Sequence, residues 1–325
     1  MSSPFLLSVI IPCYNCQDYI SACLQSVCSQ VDDSVEIIVI NDGSTDRSLE
    51  KIESFIKQTN QTVRVISQDN QGISVARNNG IEASTGKYIA LLDGDDLWAP
   101  SLWEKIRPLI ESSQTDLIEF NMKLLYEYDN KMNIPVITSS DGHFKIKSLN
   151  DLRETFLRSQ WYVWARIYKK DLFSNLKFPV GRRYEDIALL PEIYLSVKEI
   201  HSLTDELVIY RIRQGSITNS MKNTDLDDLI YALGVFKKLA ANKTKDEIEI
   251  ISSSVFFAYN LARKISKKVN GYVFFNKAQS NEIKKSLGPY IKTKKTSLRI
   301  RLLFIREFCI LNKYKYMIRT LIGSK

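Results

Sequence analysis

Long apolar runs are missing from this sequence of 325 residues. None reaches the roughly 18 uncharged apolar residues that span a bilayer, so no membrane-crossing helix is expected. A secretory leader is missing as well: the apolar stretch near the start carries Pro12 and Asn15 in place of a basic n-region and a cleavage site. The chain is therefore expected to be made and kept in the cytoplasm. Glycine-rich phosphate loops of the G-x-G-x-x-G or G-x-x-x-x-G-K-[ST] kind are absent, which argues against an ATPase or a nicotinamide enzyme. Cysteine is sparse and odd in number. Four of the five crowd at Cys13, Cys16, Cys23 and Cys28, a poor disulfide framework. Cys13 and Cys16 form a C-x-x-C, but no histidine is near and Cys23 and Cys28 fall on a helical pattern. Reduced, mostly buried thiols are expected rather than a zinc or redox centre. Internal repeats and low-complexity tracts are also absent.

What is present is an uneven charge. The net +8 splits into +15 over residues 260–325, with 17 Lys and Arg against Glu282 and Glu307, and −7 over the rest. An acidic body with a basic tail suggests a polyanionic surface as the tail's partner. Along the body, "LLSVIIP" (6–12), "VEIIVIND" (35–42), "VRVIS" (63–67) and "KYIALLD" (87–93) read as buried strands. Helical patterns at about 17–29, 47–58 and 72–84 separate them, the second capped by Ser44, Thr45 or Asp46. Strands alternating with helices at this spacing predict a doubly wound parallel sheet. After Pro100 come a helix, the strand "DLIEFNM" and a β-rich mixed segment to about 215; from 225 the chain reads as helical and increasingly basic.

In such sheets ligands bind beyond the carboxyl ends of the strands. Pro12, Tyr14 and Asn15 follow the first strand, Asn41, Asp42 and Ser44 the second, Asp69 to Gln71 the third, and Asp93, Asp95 and Asp96 the fourth. All fall on one edge, which turn chemistry alone would not produce. The acidic cluster suits a hard divalent cation, Mn2+ or Mg2+, sharing its ligands with a substrate phosphate. Asp42 is placed to accept hydrogen bonds from a base or ribose. Arg77 could reach a phosphate or hold the acidic loop. The residues thus suggest a nucleotide diphosphate held through a metal.

"SVIIPCYN", "IIVINDGSTDRS", "QGISVARNNGIEASTGKYIALLDGDD" and "YEDIALLPEIY" resemble family 2 of the glycosyltransferases. The resemblance is strongest over residues 7–100 and extends to about 220. It implies a GT-A fold: an α/β, Rossmann-like, mostly parallel sheet flanked by helices, here with a helical basic C-terminal extension. Residues 1–220 would be the catalytic domain, with 1–100 binding the nucleotide sugar and 101–220 supplying the acceptor side and the base; 221–325 would be the basic region. By position, Pro12, Tyr14 and Asn15 would line the nucleotide pocket, and Asp42 would bind the base. Asp69 and Arg77 would lie in the nucleotide-facing third unit. "DGD" would be the D-x-D motif, with Asp93 near the ribose and Asp95 on the metal. Asp96 either supports Asp95 from behind or N-caps a helix in "LWAPSLWEKI".

Inverting sugar transfer needs a carboxylate to take the acceptor hydroxyl's proton. In "RRYEDIALLPEIY" the resemblance gives that role to Asp186, with Glu185 beside it; both would also complement a helix N-terminus. Arg211, Arg213 and Ser216 of "YRIRQGSITNS" would close over the diphosphate or lie on a solvated strand. Trp161 and Trp164 would stack on acceptor sugars or pack in an aromatic core. Only His143 and His201 exist, and neither matches the metal-binding histidine of some GT-A enzymes.

The expected activity is metal-dependent, inverting transfer of a hexosyl or N-acetylhexosaminyl group from a UDP-sugar to a growing polyprenyl-diphosphate-linked glycan, for O-antigen, capsule or related polysaccharide. The alternative is a non-catalytic nucleotide-sugar-binding or scaffold protein of the same fold. In the tail, Leu298, Leu302, Ile305, Cys309 and Tyr316 share one helical face and Arg299, Arg306 and Lys313 another. That helix would lie on anionic lipid at the inner face of the cell membrane, or pack on the body with its charges solvated. No RNA or DNA motif accompanies it, so nucleic acid is not an expected partner.

Overall fold

The computed structural model describes residues 5–112, 114–127, 134–213, 221–293 and 305–323. Ser216 and the tail residues Leu298, Arg299 and Leu302 lie outside the described residues. The chain divides into two compact units. One comprises Met1–Lys147, Gln160–Gly181 and Ile193–Gln214; the other comprises Ser148–Ser159, Arg182–Glu192 and Gly215–Lys325.

The first unit holds the sheet. β1 (Leu7–Cys13) and β2 (Val35–Asp42) are buried along their whole length, as their near-continuous apolar runs require. β1 pairs in parallel with β2 on one side and β4 (Tyr88–Leu91) on the other. β3 (Val63–Gln68) pairs with β2 and is half exposed, because it forms the edge. Between them run α1 (Ile20–Cys28), α2 (Ser48–Ile56) and α3 (Ile73–Ala83). The chain turns from β2 and β3 to β4 across β1, so the switch point lies at the β1 and β4 carboxyl ends.

Past β4 the sheet is mixed rather than parallel. β5 (Leu97–Trp98), β6 (Leu117–Tyr126), β7 (Gly142–Lys145), β8 (Arg166–Lys169) and β9 (Glu199–Ile212) give the order β3-β2-β1-β4-β8-β6-β9-β5, with β7 beside β9. β8 is antiparallel to both β4 and β6, while β6 and β9 run parallel. Leu97 and Trp98 pair with Ile209 and Val208, so the chain after the acidic loop is strand. Helix α4 (Leu102–Glu111) begins only afterwards, with Ser101 at its N-cap position. Of the two readings of Asp96, the helix cap is the one not seen: cross-strand pairing claims the residues that follow it.

The second unit is helical. It contains α5 (Arg153–Arg158), the start of α6 (Glu185–Ser196), α7 (Thr224–Leu239), α8 (Lys245–Asn270), α9 (Lys277–Leu287) and α10 (Ile305–Gly323). α8 and α9 start with reciprocal capping boxes, Thr244 with Glu247 and Asn276 with Gln279.

Candidate active site

The loops after β1 and β2 are sewn together by side chains. The Asn15 Oδ1 accepts from the Thr45 N–H at 2.9 Å, and the Asn15 N–H donates to the Ser44 Oγ at 3.1 Å. Asn15 has φ of 51°, a left-handed conformation that Asn tolerates. This leaves Tyr14 half exposed at the mouth, while Pro12 is buried in β1. The N-cap position of α2 is Arg47, one residue past the three expected, and Asp46 supports the helix start by accepting from the Ser48 N–H at 2.9 Å.

Asp42, at the end of β2, is turned inward. Its carboxylate accepts from the Gln68 Nε2 (2.8 Å), the Gln71 N–H (2.9 Å) and the Gly72 N–H (2.8 Å). It anchors the β3–α3 loop, and its 3% exposure leaves little surface for a base. Asp69, in the same loop, is exposed. The two loops approach so closely that a Cβ on Gly43, whose φ is 68°, would lie 2.6 Å from the Asn70 nitrogen. Only glycine fits there.

The acidic loop after β4 is held by three arginines. The Arg77 Nη2 reaches the Asp93 Oδ1 at 2.7 Å from the buried face of α3, with its guanidinium over the Phe178 ring. Of the two roles open to Arg77, holding the acidic loop is the one seen. From the end of β9, the Arg211 N–H donates to the Asp96 Oδ1 at 2.8 Å and its Nε to the Asp95 carbonyl at 2.9 Å. The Arg213 Nε pairs with the Asp95 Oδ2 at 2.7 Å. Both guanidinium groups lie about 5 Å above the Tyr19 ring, whose hydroxyl donates to Glu127. Tyr19 and Glu127 escaped sequence reasoning: neither belongs to a strand-end cluster or to a motif.

The three carboxyls differ in environment. Asp96 is fully buried, and its Oδ2 has no partner among the described residues. Burial first, then the charges of Asp95 and Asp93, push its pKa well above the usual carboxylate range. Burial also raises Asp95, together with Asp93, against the pull of Arg213. The side chains of Asp93 and Asp95 remain 28% and 23% exposed. They offer an open pair of hard oxygen donors. Among the described residues no trio of His, Cys, Asp or Glu forms a closed metal cage. The thiols of Cys16 and Cys23 nearby are pushed up, Cys16 first by its hydrogen bond with Cys13 and Cys23 by burial, and stay protonated. An open oxygen pair fits Mg2+ or Mn2+, which complete their shells with substrate phosphate and water.

Trp161 and Trp164 are buried at 3% and 5% exposure. Trp161 packs edge-on to Tyr194, and Trp164 stacks on Tyr210 at 5.1 Å and 12°. Of the two readings, core packing is the one seen. A cavity lined by Asn78, Ile81, Glu82, Lys170 and Lys177 lies by the C-terminal end of α3, not at the strand ends that carry the acids.

Glu185 and Asp186 open α6 in the second unit, both half-buried, and the Asp186 Oδ1 accepts from the Ile187 N–H at 2.7 Å. The residues before them are clamped to α7. The Arg183 Nη1 reaches Asp225 at 2.7 Å, the Arg182 Nη1 reaches Asp228 at 3.0 Å, and Arg182 covers the Tyr231 ring. Tyr184, between the clamp and the acids, has φ of 59°, and burial pushes its hydroxyl up to about 12. Asp225 and Asp228 gave no sequence signal because their partners lie more than 40 residues away.

The fold is similar to that of residues 1–349 of TarS from S. aureus, solved in complex with UDP-GlcNAc: TM-score 0.73 at 18% identity, covering 98% of this chain and 92% of that one. It is less close to the mannosyltransferase PcManGT from Pyrobaculum calidifontis, solved with GDP-Man and Mn2+, at TM-score 0.55 and 14% identity over 92% and 85% of the two chains. These likenesses establish the GT-A fold. Residues 8–122 match the family described as "Glycosyl transferase family 2". The glycosyltransferase GlyG of Streptococcus pneumoniae is 31% identical over 229 residues, 65% of this chain and 72% of GlyG. The chain belongs to the family 2 glycosyltransferases. GlyA of the same organism is 30% identical over 73% of this chain, which spans only 35% of GlyA's length.

Proposed function

We propose that the protein transfers a hexosyl or N-acetylhexosaminyl group from a UDP-sugar to an acceptor hydroxyl, with inversion at the anomeric carbon. The acceptor would be a growing glycan on a polyprenyl diphosphate, presented at the cytoplasmic face of the cell membrane for O-antigen, capsule or a related polysaccharide. The observation that carries the reading is the half-open Asp93–Asp95 pair at the β4 end, ringed by Arg77, Arg211 and Arg213. The UDP-GlcNAc bound to the similar TarS fold supports the choice of donor.

Tyr14 and Asn15 line the nucleotide side. Asp42 acts on it through the loop it anchors, next to Asp69. Asp95, with Asp93 beside it, would hold Mn2+ or Mg2+, which supplies a Lewis acid for the charge on the departing diphosphate. Asp96 keeps Arg211 in place by accepting its backbone N–H. Arg211 and Arg213 add positive charge where the diphosphate separates, and Ser216 belongs to the same segment of the sequence. Asp186 takes the acceptor proton as the hydroxyl oxygen bonds to the anomeric carbon and the bond to the diphosphate breaks, UDP leaving with the electron pair.

The test is transfer from a panel of UDP-sugars to a synthetic lipid-diphosphate sugar, with Mn2+ and with a chelator. Metal-dependent transfer of one donor is expected. Donor hydrolysis and transfer both absent across the panel would overturn the reading.

A further inference from the structure

Helix α10, in the second unit, has two apolar faces, one packed against the protein and one exposed. Ile305 and Cys309 are buried, and Tyr316 lies 5.3 Å from the Tyr272 ring. The packing is tight: a Cβ on Gly271 would come within 2.6 Å of the Tyr316 ring. Of the face predicted to meet lipid, Ile305 and Cys309 are thus turned onto the protein, while Tyr316 touches the Tyr272 ring and stays 42% exposed.

Outward, the helix presents Ile310, Leu311, Tyr314 and Met317. The four are 43%, 52%, 61% and 47% exposed. Positions 310, 314 and 317 follow i, i+4, i+7, and 311 sits beside 314 at i, i+3, so they form one stripe. Arg306 and Lys313 border the stripe on one side and Lys315 and Arg319 on the other, all exposed. The one acid of the helix, Glu307, is exposed in the first turn, four positions before Leu311 and seven before Tyr314. It closes the N-terminal end of the stripe and leaves the helix surface around it with four basic side chains against one acid.

We infer that this outward stripe of α10 is a docking surface for the anionic face of a lipid bilayer. The inference deepens the proposed membrane-side action and rests on it. An apolar stripe between two basic borders matches acyl chains below and charged headgroups beside. The Tyr314 ring, apolar with a polar tip, suits the boundary between them. A second copy of the chain would bring another basic helix against this one, and the +15 of residues 260–325 opposes that approach. Nucleic acid would satisfy the borders and leave the stripe wet. No helix among the described residues is long and apolar enough to cross a membrane, so the contact is one of lying on the surface.

The test uses the full chain with vesicles of phosphatidylglycerol and phosphatidylcholine, against vesicles of phosphatidylcholine alone. The protein should partition onto the anionic vesicles and be released by salt. Leu311→Glu with Met317→Glu should cut partition more than tenfold; both side chains are exposed, so the thermal unfolding midpoint and UDP binding should not move. Arg306→Gln with Lys313→Gln should cut it roughly 25-fold at low salt, at about fivefold per basic side chain. Equal recovery of wild type and both variants would overturn the inference. So would a change in oligomeric state on Leu311→Glu, which would assign the stripe to a second copy, or retention by nucleic acid that the stripe variants do not affect. Transfer to a water-soluble acceptor, measured in parallel, separates the two readings. Transfer without vesicle binding sinks the docking surface alone, and vesicle binding without transfer sinks the catalytic reading alone.

Discussion

Arginine–aspartate pairs occur in both units, and they differ in how open they are. In the first, Arg77 and Arg213 meet carboxylates that are 28% and 23% exposed. In the second, Arg183 and Arg182 meet Asp225 and Asp228, which are 0% and 10% exposed. Where both partners are open, as Arg213 and Asp95 are, the carboxylate can exchange its guanidinium for another cation because water compensates each charge during the exchange; Arg77, at 4%, stays with the loop it holds. A sealed carboxylate cannot, since losing its partner strands a charge in a poorly solvated place. The same residue types therefore make a working pair at the acidic loop and a permanent clamp ahead of α6.

The largest expected effect is on the acid beyond that clamp. Asp186→Asn keeps the acceptor for the Ile187 N–H and should lower kcat by about 10²- to 10⁴-fold, with UDP affinity unchanged. Transfer at the wild-type rate would remove Asp186 as the base. Next comes the clamp itself. Asp225→Ala should cost about 3 kcal/mol in urea unfolding, the low end for a broken buried pair because Arg183 stays a quarter exposed. The same change at Asp95 should cost less than about 1 kcal/mol. Equal losses at the two positions would erase the distinction between working and permanent pairs.

A smaller effect concerns Asp96. Its folded pKa is raised, so its contribution to stability is full below the unfolded value and falls as pH rises toward the folded one. Asp96→Asn removes that loss. The variant should gain on wild type from about pH 4 upward, by at most about 1.4 kcal/mol per pH unit. A gap that stays constant between pH 5 and pH 8 would mean that Asp96 carries no such cost. The smallest effect tests exchange at Asp95. Arg213→Gln should bind Mn2+ without nucleotide roughly fivefold more tightly, since the competing guanidinium is gone. Weaker Mn2+ binding would show that Arg213 helps the cation rather than competing with it.

The parallel half of the sheet was legible because β1, β2 and β4 are continuous apolar runs with polar residues at one end. The roles inside the strand-end clusters were less so. Asp42 read as a group facing a ligand, yet the last side chain of β3 and two backbone donors of the β3–α3 loop reach its carboxylate, and such donors leave no trace in a linear pattern. Asp96 read equally as a cap or a support, because only the pairing of Leu97 and Trp98 with β9 shows that no helix starts there. Tyr19 was illegible as the ring beneath two guanidiniums that come from the far end of β9. Periodicity reports that a side chain is buried or exposed. It does not name a partner a hundred residues away.

That distance also has a consequence for synthesis. Asp95 and Arg213 are 118 positions apart. At about 5–20 residues per second, a ribosome adds the acids roughly 6–24 seconds before their neutralising partner. During that interval the β4 end of a nascent chain carries three crowded acids with only Arg77 to balance them. Completion of β9 then brings Arg211 and Arg213 to the acidic loop, so the acids made first wait for the arginines made later.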